Sequence, residues 1–148
     1  VWSRVKEAIP NAELVLAGTG PITDELKTSL PDARFAGWLN KEELIEELKQ
    51  ARCQILPSRF DTFGCVVVEA MCLGVPTVAY DCKGPKTIIE QSQAGMLVEN
   101  IESMADAIIE LLSNEMKSTQ LSEVAKSASS QWSDTEILGQ ILNHLYKI

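Results

Sequence analysis

Histidine is almost absent from this chain: His144 is the only one in 148 residues. One imidazole near the end gives no basis for a catalytic triad, and no grouping of His, Asp and Glu has metal-site spacing. His144 reads as a surface or packing residue of the last helix. Positive charge is scarce too. Thirteen Lys and Arg against 21 Asp and Glu leave a formal charge of −8. That balance excludes the basic surface on which nucleic-acid binding depends. The four cysteines, Cys53, Cys65, Cys72 and Cys82, contain no C-x-x-C pair and no metal-ligand spacing. Three lie in apolar runs, so reduced core thiols in a cytoplasmic protein are expected. No apolar run approaches the ~20 residues of a membrane-spanning helix, and no signal-peptide pattern is present. The sequence opens on Val1 rather than Met, and its length fits one domain. Residues 1–148 are therefore expected to be a single domain taken from a longer protein.

What the chain does have is an alternation of short apolar strands and helical stripes. Strands are expected over residues 13–17, 34–37, 53–56, 77–80 and 95–98. Helices are expected over 1–9, 21–30, 41–50, 64–73, 86–91 after the turn Lys83-Gly84-Pro85, 101–113, 116–130 and 134–148. Asn40 is placed to cap the third of these, and Pro21 sits where a helix start accepts proline. Ile137, Leu138, Ile141, Leu142, Leu145 and Ile148 make a wide apolar stripe on the last. Strands and helices alternating at this spacing imply βαβ units, hence a Rossmann-like α/β domain with a parallel sheet and helices on both faces. Ligands of such sheets bind beyond the carboxyl ends of the strands.

The most informative stretch is 57–76, Pro-Ser-Arg-Phe-Asp-Thr-Phe-Gly-Cys-Val-Val-Val-Glu-Ala-Met-Cys-Leu-Gly-Val-Pro. Asp61 and Thr62 are candidate N-caps. From Gly64 to Leu73 the helix is apolar all round except for Glu69, so it is expected to be buried. A carboxylate there needs partners. Either Glu69 accepts hydrogen bonds from backbone within the core, or it faces a cleft and accepts them from a ligand. The turn Gly18-Thr19-Gly20-Pro21 suits a tight strand-to-helix connection. It lacks the third glycine and the acidic residue of a nicotinamide dinucleotide fingerprint.

The Pro-Ser, the acidic pair Asp61 and Glu69 separated by seven residues, Phe-Gly, Ala-Met and Gly-Val-Pro together resemble the E-x7-E stretch of retaining family-four glycosyltransferases. Those are two-domain GT-B enzymes. The resemblance runs from Leu14 to about Asn114 and corresponds to the C-terminal, donor-binding half. Two positions depart from the family's pattern. Asp61 is one methylene shorter than the usual Glu, and Lys86-Thr87 follow Gly84-Pro85 where a Glu is common.

The resemblance implies roles for individual residues. Gly18, Thr19 and Gly20 flank the donor, and Trp38 and Leu39 lie against the nucleotide base. Thr62, Phe63, Gly64, Cys65 and Val66 form the helix start whose amides hold the diphosphate. Gly84 belongs to a further donor-side turn, with Lys83 and Lys86 beside it as solvated residues. Asp61 holds the transferred sugar, and Glu69 takes the ribose hydroxyl pair. The expected ligand is a nucleoside-diphosphate sugar, UDP favoured over GDP, with no cofactor and no metal. The acceptor-binding N-terminal half, with a cationic Arg/Lys pair just upstream of this chain, is expected as a partner. Any membrane-surface association falls to that half. A sugar-nucleotide epimerase of similar form, or a binding module without activity, is also compatible with these residues.

Overall fold

A computed structural model of the chain describes residues 1–132. The expected last helix, its apolar stripe and His144 lie outside the described residues. Twelve elements follow one another: α1 (Trp2–Ala8), β1 (Val15–Ala17), α2 (Thr23–Ser29), β2 (Arg34–Gly37), α3 (Lys41–Gln50), β3 (Gln54–Leu56), α4 (Cys65–Cys72), β4 (Thr77–Tyr80), α5 (Lys83–Ser92), β5 (Gly95–Val98), α6 (Ile101–Ser113) and α7 (Glu115–Trp132).

Every strand pair is parallel. The sheet, however, is divided into two ladders, β1-β2 and β3-β4-β5, rather than running as one. Among the described residues β1 and β3 share no ladder, and Val15 and Ala17 are exposed on β1.

The second ladder holds the core. Thr77-Val78-Ala79-Tyr80 is buried at every residue, as a strand covered on both faces must be. Val78 and Tyr80 pack with Val5 of α1, Val98 of β5, and Met104, Ile108 and Leu111 of α6. Ala79 points the other way, into Val67 of α4 and Ile88 and Ile89 of α5. Helices therefore cover both faces. Asn40 does cap α3, accepting from the Glu43 amide while the Glu43 carboxylate accepts from the Asn40 amide. Pro21 lies two residues before the first residue of α2, with Ile22 at the cap position. The Thr23 hydroxyl closes the turn there instead, accepting from the Gly20 amide at 2.9 Å.

Two expectations about α4 are overturned. The helix is not enclosed all round. Val67, Ala70 and Met71 are buried, against α5 and β4, α3, and α7 respectively. Cys65, Val66, Glu69 and Cys72 are exposed along one side. An apolar helix can keep an open face here because three neighbours already bury the rest. Nor are all of the cysteines core residues. Cys65 and Cys72 are exposed, Cys53 and Cys82 partly covered, and all four are free thiols. Cys53 alone turns its thiol toward the core cluster around Val78, and burial pushes it up to about 11. The Cys72 thiol is raised by partial burial and then by the Glu69 carboxylate. Iodoacetamide labelling at pH 8 is expected to modify Cys65 first, Cys72 next and Cys53 last. Peptide mass spectrometry over a time course checks the order.

Candidate functional site

The turn after β3 is built around Asp61. Its Oδ1 accepts from the Phe63 amide at 3.0 Å and from the Gly64 amide at 2.7 Å. The cap position of α4 belongs to Gly64 itself, in the left-handed region at φ +83°. Asp61 and Thr62 therefore precede the cap, and the carboxylate closes the turn rather than the helix. A residue with a Cβ adopts that φ only under strain, so glycine is what lets the chain swing from strand into helix.

This turn rests on the start of α5. The Gly84 amide donates to the Asp61 carbonyl at 3.2 Å. A Cβ on Gly84 would lie 2.6 Å from both the Phe63 nitrogen and carbonyl carbon, and one on Gly64 would lie 3.2 Å from the Pro85 nitrogen. Gly84 is thus buried in the first turn of α5, not in an open turn facing a ligand. Its role is to let the two segments touch. Lys86 is not simply solvated: its Nζ meets Asp81 at 2.8 Å and Glu90 at 3.8 Å. The hydrogen bond to Asp81 holds its pKa above the usual lysine value.

With Phe63 and Gly64 amides engaged, those of Cys65 and Val66 lead the helix, and no carbonyl or side chain among the described residues accepts from them. Glu69 lies one turn further along the same exposed side and forms no ion pair among the described residues. Phe60 is 96% exposed and Phe63 38%, so the rim of this turn is apolar.

A second group forms at the ends of β1 and β2. The Gly18 amide donates to the Gly37 carbonyl at 2.6 Å, joining the Gly18-Thr19-Gly20 turn to the Gly37-Trp38-Leu39 turn. Trp38 is 83% exposed. The structure thus gathers the site residues into two pairs of turns, one around Gly18 and Trp38, the other around Asp61 and Gly84.

Arg59 and Tyr80 escaped the sequence reading. The Arg59 guanidinium stacks 4.6 Å from the Tyr80 ring centre. Both line a shallow cleft of about 360 Å³ with Asp81, Cys82, Val98 and Glu99, which does not include Glu69. Nothing in the spacing of Arg59 and Tyr80 announced their contact; it arises because β3 and β4 are neighbours.

Parallel strands with helices on both faces and these turns at the strand ends are those of a Rossmann-like α/β domain, the kind of domain from which GT-B glycosyltransferases are built. The family described as Glycosyl transferases group 1 matches residues 1–114, and the chain belongs to it. It is 33% identical over 90 residues to a GDP-mannose-dependent alpha-mannosyltransferase of Corynebacterium glutamicum, covering 61% of this chain and 22% of that protein. Over 141 residues it is 28% identical to the poly(glycerol-phosphate) alpha-glucosyltransferase of Bacillus subtilis, covering 89% of this chain and 21% of that protein. Among solved structures, a mutant of S. aureus TarM in complex with UDP aligns with a TM-score of 0.81 at 25% identity, over 95% of this chain and 30% of TarM. The Anabaena HepE structure with UDP aligns at 0.80 and 23% identity, over 99% of this chain and 44% of HepE. The chain thus spans about a fifth of the length of these two curated relatives. Among the described residues, no helix is long and apolar enough to cross a membrane, and no group of His, Cys, Asp and Glu could hold a metal ion.

Proposed function

We propose that residues 1–148 form the donor-binding domain of a glycosyltransferase. The enzyme moves a sugar from a nucleoside-diphosphate sugar to an acceptor hydroxyl with retained configuration, in the cytoplasm, for polysaccharide or glycoconjugate synthesis. The observation that carries the reading is the open side of α4. Two unpaired amides stand at its positive end, and an exposed carboxylate follows one turn later on the same side.

The amides of Cys65 and Val66 bind the diphosphate, which an acidic chain could not hold by net charge. They also stabilise the negative charge that grows on the leaving diphosphate as the glycosidic bond breaks. Glu69 accepts from the two ribose hydroxyls, as one carboxylate can from a vicinal diol. Asp61 keeps its second oxygen, Oδ2, for a hydroxyl of the transferred sugar. Thr62 completes the turn, Trp38 and Leu39 flank the base, and the Gly18–Gly20 turn closes on the donor from the other side. Another domain supplies the acceptor site, the cationic pair and any contact with a membrane surface. UDP is the nucleotide expected here; it is bound in the TarM structure, whereas the Corynebacterium relative is named for GDP-mannose.

Calorimetric titration with UDP, GDP and ADP tests this. UDP is expected to bind with a dissociation constant on the order of millimolar, about −4 kcal/mol, and more tightly than the other two. Affinity should change little with added salt, because amides rather than fixed cations meet the anion. No binding of any of the three would overturn the reading. Sugar transfer by the 148-residue chain itself would show that the catalytic groups have been misplaced, because the facing domain supplies the proximity of the reactants.

A further inference from the structure

We infer that the cleft beyond the carboxyl ends of β3, β4 and β5 is a carbohydrate subsite, which takes a neutral, hydroxyl-rich sugar unit of the acceptor. The inference rests on the glycosyltransferase reading and gives this domain a share of the acceptor site.

Tyr80 carries the argument. It packs with Val5, Val98 and Met104 and is 7% exposed. A tyrosine buried to that degree ordinarily finds a partner for its hydroxyl. This hydroxyl makes no hydrogen bond among the described residues. Nor is it sealed in, because among those residues the Trp2 indole nitrogen is the one enclosed side-chain polar atom without a partner. The hydroxyl therefore meets solvent, and Tyr80 does so in the cleft it lines.

The neighbouring groups are poised in the same way. The Arg59 guanidinium lies 4.6 Å from the ring centre and forms no ion pair among the described residues. The stack holds the guanidinium in place while its N–H groups, which lie in its own plane, stay available as donors. Lys86 takes Oδ2 of Asp81 at 2.8 Å and leaves Oδ1 open. Glu99 is exposed and has no ion pair among the described residues.

Charge decides which ligand suits this lining. Lys86 offsets Asp81 and Arg59 offsets Glu99, so net charge favours neither an anion nor a cation. What the cleft offers is donors and acceptors side by side, and a sugar hydroxyl is both. The volume of about 360 Å³ lies at the small end of ligand sites, about 300–1,000 Å³, which suits one sugar unit. Asp61, assigned above to the transferred sugar, follows Arg59 by two residues, at most about 7 Å along the chain. The cleft thus adjoins the place where an acceptor must present its hydroxyl.

Methyl α-glucoside, methyl α-glucuronide and methyl α-glucosaminide carry a neutral, an anionic and a cationic group on one ring. NMR titration of the 148-residue chain at pH 6 compares them. The glucoside is expected to shift the amides of Asp81, Cys82 and Glu99, with half-saturation on the order of ten millimolar, whether or not UDP is present. Both charged sugars should bind about threefold or more weakly. Tyr80→Phe keeps the ring and its packing and should weaken the glucoside about threefold to tenfold; Arg59→Ala should weaken it about tenfold or more. Melting temperatures check that both variants are folded. Parental binding by either folded variant, tighter binding of a charged sugar, displacement of the glucoside by UDP, or unmoved cleft amides would overturn the inference. Should Tyr80→Phe fail to fold, Arg59→Ala decides alone. A chain that binds the glucoside at these amides but no UDP refutes the donor-binding reading and upholds the carbohydrate subsite.

Discussion

Replacing Gly84 by alanine is expected to lower the melting temperature of the chain and to weaken UDP binding together. Two effects oppose one another at this position. Alanine is the better helix former, and in an open helix the change would stabilise by about 0.5–1 kcal/mol. Here the added methyl would lie 2.6 Å from the Phe63 nitrogen and carbonyl carbon and 2.8 Å from its Cα. Those are backbone atoms and cannot rotate aside, so α5 or the Asp61–Gly64 turn must move. Overpacking of this kind typically costs about 1–3 kcal/mol, and the Gly84–Asp61 hydrogen bond is stretched in addition. Overpacking wins, with a net loss of about 1–2 kcal/mol, which at roughly 2–4 °C per kcal/mol is visible by calorimetry. UDP affinity should fall with it, because the Cys65 and Val66 amides ride on the displaced turn. An alanine variant that melts higher than the parent would show that the propensity term prevails and that the two segments are not in close contact.

The same contact shows where the sequence was legible and where it was not. The twelve described elements, the parallel pairing and the helices on both faces follow from the alternation of apolar strands and amphipathic stripes, a local signal. The Asp61 turn was half legible. Asp61 and Thr62 indicated a turn before a helix, but the cap passed to Gly64 because a left-handed glycine lets the carboxylate close the turn one residue earlier. The exposure of Glu69 was not legible from α4 alone. How much of an apolar helix is covered depends on its neighbours, and here α3, α7 and the β4–α5 face leave one side free. Gly84 was misplaced for a related reason. Gly-Pro after a strand reads as a turn, but proline is also tolerated in the first turn of a helix, where its missing N–H is not needed. The stacking of Arg59 on Tyr80 needed the register of β3 on β4, a non-local fact.

Glu69→Ala is expected to abolish measurable UDP binding while leaving the fold intact. That separation is possible because Glu69 is exposed and forms no ion pair among the described residues, so removing it strands no buried partner. Substitutions at such positions usually change stability by no more than about 0.5 kcal/mol, and alanine is a good helix residue. The melting temperature should therefore stay within a degree or two of the parent, by the same relation of roughly 2–4 °C per kcal/mol. Binding is different. A carboxylate that accepts from two ribose hydroxyls contributes charged hydrogen bonds worth about 1.5–3 kcal/mol, so its loss is about a tenfold to hundredfold effect. Starting from millimolar affinity, NMR titration should then show no saturation where the parent saturates. Glu69→Gln keeps one acceptor oxygen and should fall between the two. In the longer protein, transfer should drop by at least the same factor, since a contact to the ribose persists into the transition state. The opposite pattern, a lower melting temperature with parental UDP affinity, would place Glu69 in the packing of α4 and remove it from the donor site.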